Sequence, residues 1–346
     1  MKNAMIYLKT TETCQLDCSH CFTSGSRGRK IYFDVDKTIN WFRRLKNDIT
    51  EIESIHIEFH GGEPFLAPLV DMWSVWRNTC DLWTNSSYGV CTNLVFTLDN
   101  AKLEFIETAL QGQIGTSWDP SIRFANSQQY DLWYKNINIL TSNPKNYVSL
   151  FVSLSKNVIE KRPIELLQFA HSLNIDALHL ERITINGSAR QNNSIIPSNK
   201  DLDNWFVQLY EDTVTYKAHD WFDNVFLNSI LRKFTHGTKD ATFCRNCEQK
   251  IFTINADGTI GGCSNSAPED FYGHIDENIV ELLQKPKRQY VIACELSRDP
   301  RCYECPVFMY CGGDCHQLQW EDNQCGSARS LMINLKNKNT TNSLVT

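Results

Sequence analysis

Thr13-Cys14-Gln15-Leu16-Asp17-Cys18-Ser19-His20-Cys21-Phe22 places three cysteines in one short loop at C-x3-C-x2-C spacing. Soft thiolate sulfur suits iron–sulfur clusters, so such a loop can hold three irons of a 4Fe–4S cluster. The fourth iron then has no protein ligand and stays open to a small molecule. Taken alone, the spacing also fits a zinc loop. On the upstream side, residues 4–8 form a short apolar run with strand character. On the downstream side, Ser54–His60 alternates Ile55, Ile57 and Phe59 and runs into Gly61-Gly62-Glu63-Pro64.

Working outward, the pattern repeats. Val35, Ile39, Phe42 and Leu45 stand at helical spacing in residues 35–45. Further helices are predicted over 66–83, 99–110 with Asp99 as N-cap, 127–140, 163–173 opened by Pro163, and 201–216. Strands are predicted over 89–96, 113–118, 147–154 and 177–183. Six strand–helix units in series imply an α/β protein whose parallel sheet is covered by helices. Right-handed crossovers let such a sheet curl toward a barrel, with ligands at the C-terminal strand ends. The cysteine loop, the Gly61–Pro64 turn (61–64) and Ser117 all follow or close predicted strands.

The chain of 346 residues has room for roughly two domains of ~150 residues, and 42% hydrophobic content supports a sizeable core. A net charge of −6 argues against a general nucleic-acid surface, which needs a basic excess. No apolar run approaches the ~20 residues of a membrane span, and residues 5–8 are too short for a signal peptide. Of fourteen cysteines, nine lie from Cys244 onward, two pairs of them at C-x2-C spacing. Without an export signal this clustering points to metal ligation in a reducing cytoplasm. Cys80, Cys91 and Cys294 have no partner spacing and read as buried apolar residues. His56 and His60 share a strand face and read as structural. Glu181-Arg182 close a predicted strand near the barrel mouth, either for a substrate or for other charges.

The cysteine loop followed by Gly-Gly-Glu-Pro resembles the radical S-adenosylmethionine (SAM) enzymes. That resemblance implies a partial (β/α)6 TIM-like barrel over residues 1–230, with SAM on the open iron and reductive cleavage to a 5′-deoxyadenosyl radical. Cys14, Cys18 and Cys21 would hold the SAM-binding cluster. Gly61 and Gly62 lack a Cβ, which permits close backbone approach to a ligand or simply a tight turn before Pro64. In the resemblance their carbonyls and the Glu63 carboxylate take the SAM ammonium. Thr92-Asn93 is similar to the family's Thr-Asn-Gly, with Leu94 in the third place. Thr116-Ser117-Trp118-Asp119-Pro120 is similar to the Ser-x-Asp-Gly of peptide-modifying members, with Pro120 replacing glycine. Ser117 would bond the SAM ribose or carboxylate. Arg123 would pair with the SAM carboxylate, or form a surface salt bridge. His20 occupies the place of an adenine-packing aromatic, with Phe22 the other candidate, and either ring also fits a packing role.

The C-terminal third resembles the SPASM domain. Cys247, Gly258 and Cys263 stand as C-x10-G-x4-C, followed by Cys302, Cys305, Cys311 and Cys315 as C-x2-C-x5-C-x3-C, then Cys325. Asp257-Gly258 between two β-rich runs signals a tight hairpin, which brings Cys247 and Cys263 together. The resemblance implies two auxiliary 4Fe–4S clusters over residues 231–330. Cys247, Cys263 and Cys315 would hold the first, with Cys244 as a possible addition. Cys302, Cys305, Cys311 and Cys325 would hold the second. Residues 331–346 are polar and expected to be a partly disordered tail.

The expected function is oxidative modification of a peptide or protein, most simply side-chain cross-linking, with three 4Fe–4S clusters, SAM and an electron donor such as flavodoxin or ferredoxin. Cys14 lies so near the start that no leader-recognition domain is expected, so a separate leader-binding protein or the barrel mouth would take the peptide. Alternatives are radical chemistry on a small molecule or nucleotide, and a non-catalytic zinc-binding adaptor. The sequence names no catalytic base or hydrogen donor. Ser264, after Cys263, replaces the Asp that serves as base in sulfatase-maturing members, which argues against formylglycine formation.

Overall fold

The computed structural model describes residues 2–23, 25–236 and 247–343. Among these, a ten-stranded sheet is built from β1 (Asn3–Lys9), β2 (Ser54–His60), β3 (Asn85–Thr92), β4 (Gln113–Ser117), β5 (Tyr147–Ser153), β6 (Ala177–Glu181), β7 (Asp223–Asn224), β8 (Ile251–Ile254), β9 (Thr259–Gly261) and β10 (Gly273–His274). Its order is β10-β9-β8-β1-β2-β3-β4-β5-β6-β7. β8 through β7 run parallel, and β9 and β10 run antiparallel at the edge. This is the expected α/β architecture, a partial TIM-like barrel left open.

Alternation decides which face each strand buries. Ile6 and Leu8, Ile57 and Phe59, and Leu150 and Val152 are fully buried under the helices, against Trp41, Phe42, Phe105 and Trp133. The opposite face carries Tyr7 and Lys9, His56, Glu58 and His60, Cys91, Phe151, His179 and Glu181. A partial barrel therefore has an apolar outer wall and a lumen with polar groups. The helices Val35–Asp48, Asn100–Thr108 and Asn199–Thr215 begin at side-chain caps. Asp34, Asp99 and Ser198 each accept a backbone N–H from the first turn of their helix.

Four expectations are corrected. The helix predicted over 66–83 is a 3-10 turn, Pro64–Leu66, and a separate helix, Leu69–Thr79. Pro68 holds Ala67 extended between them. The strand predicted over 89–96 begins earlier, at Asn85, because Asn85–Val90 pairs along β2 despite its polar start (Ser54↔Asn85 to Phe59↔Val90). It ends at Thr92, where Leu94 turns the chain with φ 54°. The tail expected to be partly disordered is helical over Arg329–Ser343, because Ala328, Leu331, Met332 and Leu335 bury against the helix Asn199–Thr215. Of the three cysteines read as buried, Cys294 is exposed, and Cys80 and Cys91 are half-buried, Cys91 on the lumen face.

The C-terminal region is made differently. Asp257-Gly258 forms the expected turn, with Asn255 N donating to Thr259 O at 2.9 Å. β8 of this hairpin pairs with β1, in register Met5↔Ile251 to Leu8↔Ile254. Beyond it come short helices, Ile279–Gln284, Pro286–Leu296, Pro300–Tyr303 and Phe308–Cys311, joined by loops.

Candidate active site

The loop after β1 is held by the ends of its neighbours. Cys14 N donates to Gly25 O at 2.9 Å, and Cys21 N turns back to Cys18 O at 3.1 Å. Gly62 N donates to Thr11 O at 3.0 Å and Glu63 N to Thr13 O at 2.9 Å. The two glycines exist for this contact. A Cβ on Gly61 would stand 2.5 Å from Thr11 O, at a φ of 140°, and one on Gly62 would stand 2.0 Å from Thr13 O. Only glycine lets the 61–64 turn lie flat on the cysteine loop. Sequence reasoning assigned that closeness to a ligand or to a tight turn, whereas the neighbour is protein backbone.

Glu63 extends the lock to β3. Its residue is 0% exposed. Oε1 accepts from Thr92 Oγ1 at 2.8 Å and Phe65 N at 3.1 Å, and Oε2 accepts from Asn93 N at 2.8 Å. Burial nonetheless pushes its pKa up to about 7. A carboxylate has about four lone-pair sites, so roughly one acceptor position remains. Asn93 faces the same loop. Its Oδ1 accepts from Gln15 Nε2 at 3.0 Å, and its Nδ2 donates to Cys14 Sγ at 3.4 Å. Asn93, predicted as a SAM contact, is in this structure a hydrogen-bond donor to a cysteine sulfur.

The β4 end supplies a buried charge cluster that the sequence only hinted at. Asp119, also 0% exposed, accepts from Arg123 Nε at 2.7 Å and Ser153 N at 2.6 Å, and lies 3.3 Å from His20 Nε2. Burial would raise its pKa, but Arg123 and His20 more than offset this and hold the carboxyl well below the usual range. Arg123 is thus an internal ion-pair partner rather than a surface one. Its carbonyl lies 4.0 Å from Cys18 Sγ. Ser117 ends β4, half-buried beside this cluster. His20 is therefore fixed by Asp119, with Nδ1 buried and making no hydrogen bond. Phe22 lies in the lumen instead, its ring 5.8 Å from that of His60. Burial lifts the Cys14 thiol to about 11 and the Cys18 thiol to about 12.

The segment after β6 closes over this loop. Ser188 N donates to Cys21 O at 2.8 Å, and Asn186 Nδ2 donates to Asn265 O at 2.6 Å and Gln317 Oε1 at 3.0 Å. Arg182 pairs with Asp314 and also donates from Nη1 to Gly326 O at 3.0 Å. The choice left open for Arg182 falls to a protein carboxylate.

The C-terminal cysteines form two groups. Cys302, Cys305, Cys311, Cys315 and Cys325 line one cavity with Val307, Phe308, Leu318 and Met332. Cys247 and Cys263 are joined through acids. Cys247 N donates to Glu295 Oε1 at 2.6 Å, and Cys263 N to Glu248 Oε2 at 3.4 Å. His316, next to Cys315, reaches Glu248 at 4.0 Å, so Cys315 stands at the junction of the two groups. Cys244 lies outside the described residues. Among these residues, no three His, Cys, Asp or Glu side chains converge as they would around a single metal ion. The donor set fits iron–sulfur clusters in kind: thiols grouped in loops, with backbone amide and Asn donors around the first group.

No family model matches the chain, and no curated protein is similar to it in sequence. Solved structures share its fold. One is anSMEcpe with bound AdoMet and Kp18Cys peptide, with TM-score 0.78 and 15% identity, covering 99% of this chain and 98% of that one. Another is Streptococcus suis SuiB bound to precursor peptide SuiA, with TM-score 0.62 and 14% identity, covering 91% of this chain and 72% of that one. The fold is therefore the one these two proteins share, from the first strand to the cysteine-rich end. No described helix is long and apolar enough to cross a membrane.

Proposed function

We propose that this chain is a radical SAM enzyme with two auxiliary clusters and a peptide or protein substrate. One observation carries the reading: the Cys14–Cys21 loop (14–21) sits at the C-terminal mouth of a parallel sheet, locked on one side by Gly61–Glu63 (61–63) and Asn93 and on the other by Arg123. The fold supports it, being shared with a protein that binds AdoMet and peptide and with one that binds a precursor peptide. Cys14, Cys18 and Cys21 would hold the SAM cluster. Cys247, Cys263 and Cys315 would hold the first auxiliary cluster, and Cys302, Cys305, Cys311 and Cys325 the second.

When bound, these groups supply reductive SAM cleavage to a 5′-deoxyadenosyl radical, and electron transfer. The chain's own residues bind and orient. The Gly61 and Gly62 carbonyls and the remaining Glu63 lone pair take the SAM ammonium. Arg123 keeps Nη1 for its carboxylate while Asp119 fixes the rest of the guanidinium. Ser117 and His20 border the nucleoside. Ser264 stands where sulfatase-maturing members carry a base, and a hydroxyl is a poor base at neutral pH. Cross-linking of peptide side chains, with loss of two hydrogens, suits that residue better than formylglycine formation.

The test is anaerobic reconstitution of the full chain. It should turn brown, absorb broadly near ~400 nm, carry about twelve irons as three four-iron clusters, and form 5′-deoxyadenosine under reduction. Cys14→Ala should lose SAM cleavage while staying folded. A colourless protein binding zinc, or wild-type cleavage in Cys14→Ala, refutes the reading.

A further inference from the structure

Lys9 ends β1 on the lumen face, between the Phe22 ring and the Phe271 ring, which precedes β10. The residue is 7% exposed. Among the described residues, its Nζ makes no ion pair and no hydrogen bond. The acids closest by sequence and hairpin are engaged elsewhere. Glu12 and Asp257 both hold Arg29, Glu12 Oε2 at 2.7 Å from Nε and Asp257 Oδ2 at 2.6 Å from Nη2. His60, opposite Lys9 in the sheet register, offers no charge. Its Nδ1 accepts from Gly61 N at 2.8 Å, and its pKa is lowered to about 3 by burial and by Lys9 itself. The Phe22 ring centroid lies 5.7 Å from the ammonium and the Phe271 centroid 6.0 Å, and the Cys21 and Cys263 sulfurs are charged neighbours that make no hydrogen bond to it.

A buried ammonium without a hydrogen-bonded anion is costly, and structures normally pair it directly. Here the missing partner has a place to come from, because the lumen is where the proposed substrate enters. We propose that Lys9 anchors a carboxylate of the substrate, an aspartate or glutamate side chain adjoining the residue that is modified. The methylenes of that side chain would pack between Phe22 and Phe271, and its oxygens would meet Nζ. The inference rests on the function proposed above and narrows its substrate class to acidic peptides. The carboxylate of SAM is the other possible source. In that reading it already has the open iron and Arg123, beside Cys18, so the substrate is the better match.

The experiment uses the reconstituted full chain with SAM, and equilibrium dialysis of N-acetyl-glutamate N-methylamide against its glutamine counterpart. A charge-assisted hydrogen bond should favour the glutamate probe by about tenfold or more in wild type. Lys9→Met should erase the preference, and Lys9→Arg should keep it. Equal binding of the two probes by wild type overturns the inference. So does a glutamate preference that survives Lys9→Met. If that variant instead weakens SAM binding, or shifts a cluster potential, with the preference intact, the charge belongs to the cofactors and the inference also falls. The two proposals fail separately: absence of SAM cleavage in wild type defeats the enzyme reading, whereas cleavage without a glutamate preference defeats only the role of Lys9.

Discussion

The strands from β1 to β6 and the cysteine-rich end after Gly262 are stabilised in different ways. The first is a layered core in which Leu8, Phe59, Leu150 and Trp133 have no exposure at all. Burying such side chains is worth ~1.5–3 kcal/mol each, so this region folds on apolar area. The second has helices as short as Pro300–Tyr303 and Phe308–Cys311, and five of its cysteines line a cavity. Where regular structure is short, metal-site energy becomes folding energy. The comparison separates a scaffold rich in apolar packing from a module whose shape, in the function proposed above, would depend on what its thiols hold.

The largest effect should come from removing metal. Chelation of the reconstituted protein should raise hydrogen exchange across residues 300–327 by orders of magnitude while β1 to β6 stay protected. Uniform loss of protection would erase the distinction. A smaller effect should come from the pin between the regions. The Arg182 and Asp314 side chains are 5% and 9% exposed, so Arg182→Met strands a buried carboxylate at a cost of about 3–5 kcal/mol. The double variant Arg182→Met/Asp314→Leu should recover most of that in chemical denaturation. Additive losses would show that the pair does not couple them. Smallest is Glu63→Gln, which sets an amide N–H₂ against Asn93 N and should cost about 1–3 kcal/mol within the scaffold alone. A change in the cysteine-rich end with β3 unaffected would contradict the local reading.

The two regions also differed in how they read from sequence. β2 was legible to the residue because Ile55, Ile57 and Phe59 alternate without interruption. β3 was not, because Asn85–Ser87 (85–87) is polar and gains its strand state from pairing with β2. Asp99 announced its helix by a local cap, whereas the helix Arg329–Ser343 is polar in composition and owes its order to a few tertiary contacts. In the site, the glycines and Glu63 were found by motif, but their partners lie elsewhere in the chain: Thr11 and Thr13 in the loop after β1, Thr92 and Asn93 at the end of β3. Asp314 as the partner of Arg182 lies 132 residues away and leaves no local trace. Lys9 was missed although a signal existed: it continues the i, i+2 alternation of Met5 and Tyr7, so a charge falls on the inner face at the strand's C-terminal end.

The pairing of β8 with β1 has a consequence for synthesis. β1 is a central strand, yet one of its two partners lies about 240 residues later in the chain. At ~5–20 residues per second the ribosome needs roughly 10–50 s to deliver it. For that interval the nascent sheet presents the backbone of Met5 to Leu8 as an open edge, the kind of template on which chains aggregate. The polar lumen face on Tyr7 and Lys9 does not shield that edge, since shielding acts in the plane of the sheet. Until residues 251–254 emerge, that edge of β1 lacks its strand partner, and only β2 pairs with the other side. Pulse-labelled chains halted before residue 251 should be more protease-sensitive and more prone to co-sediment than chains released after residue 261.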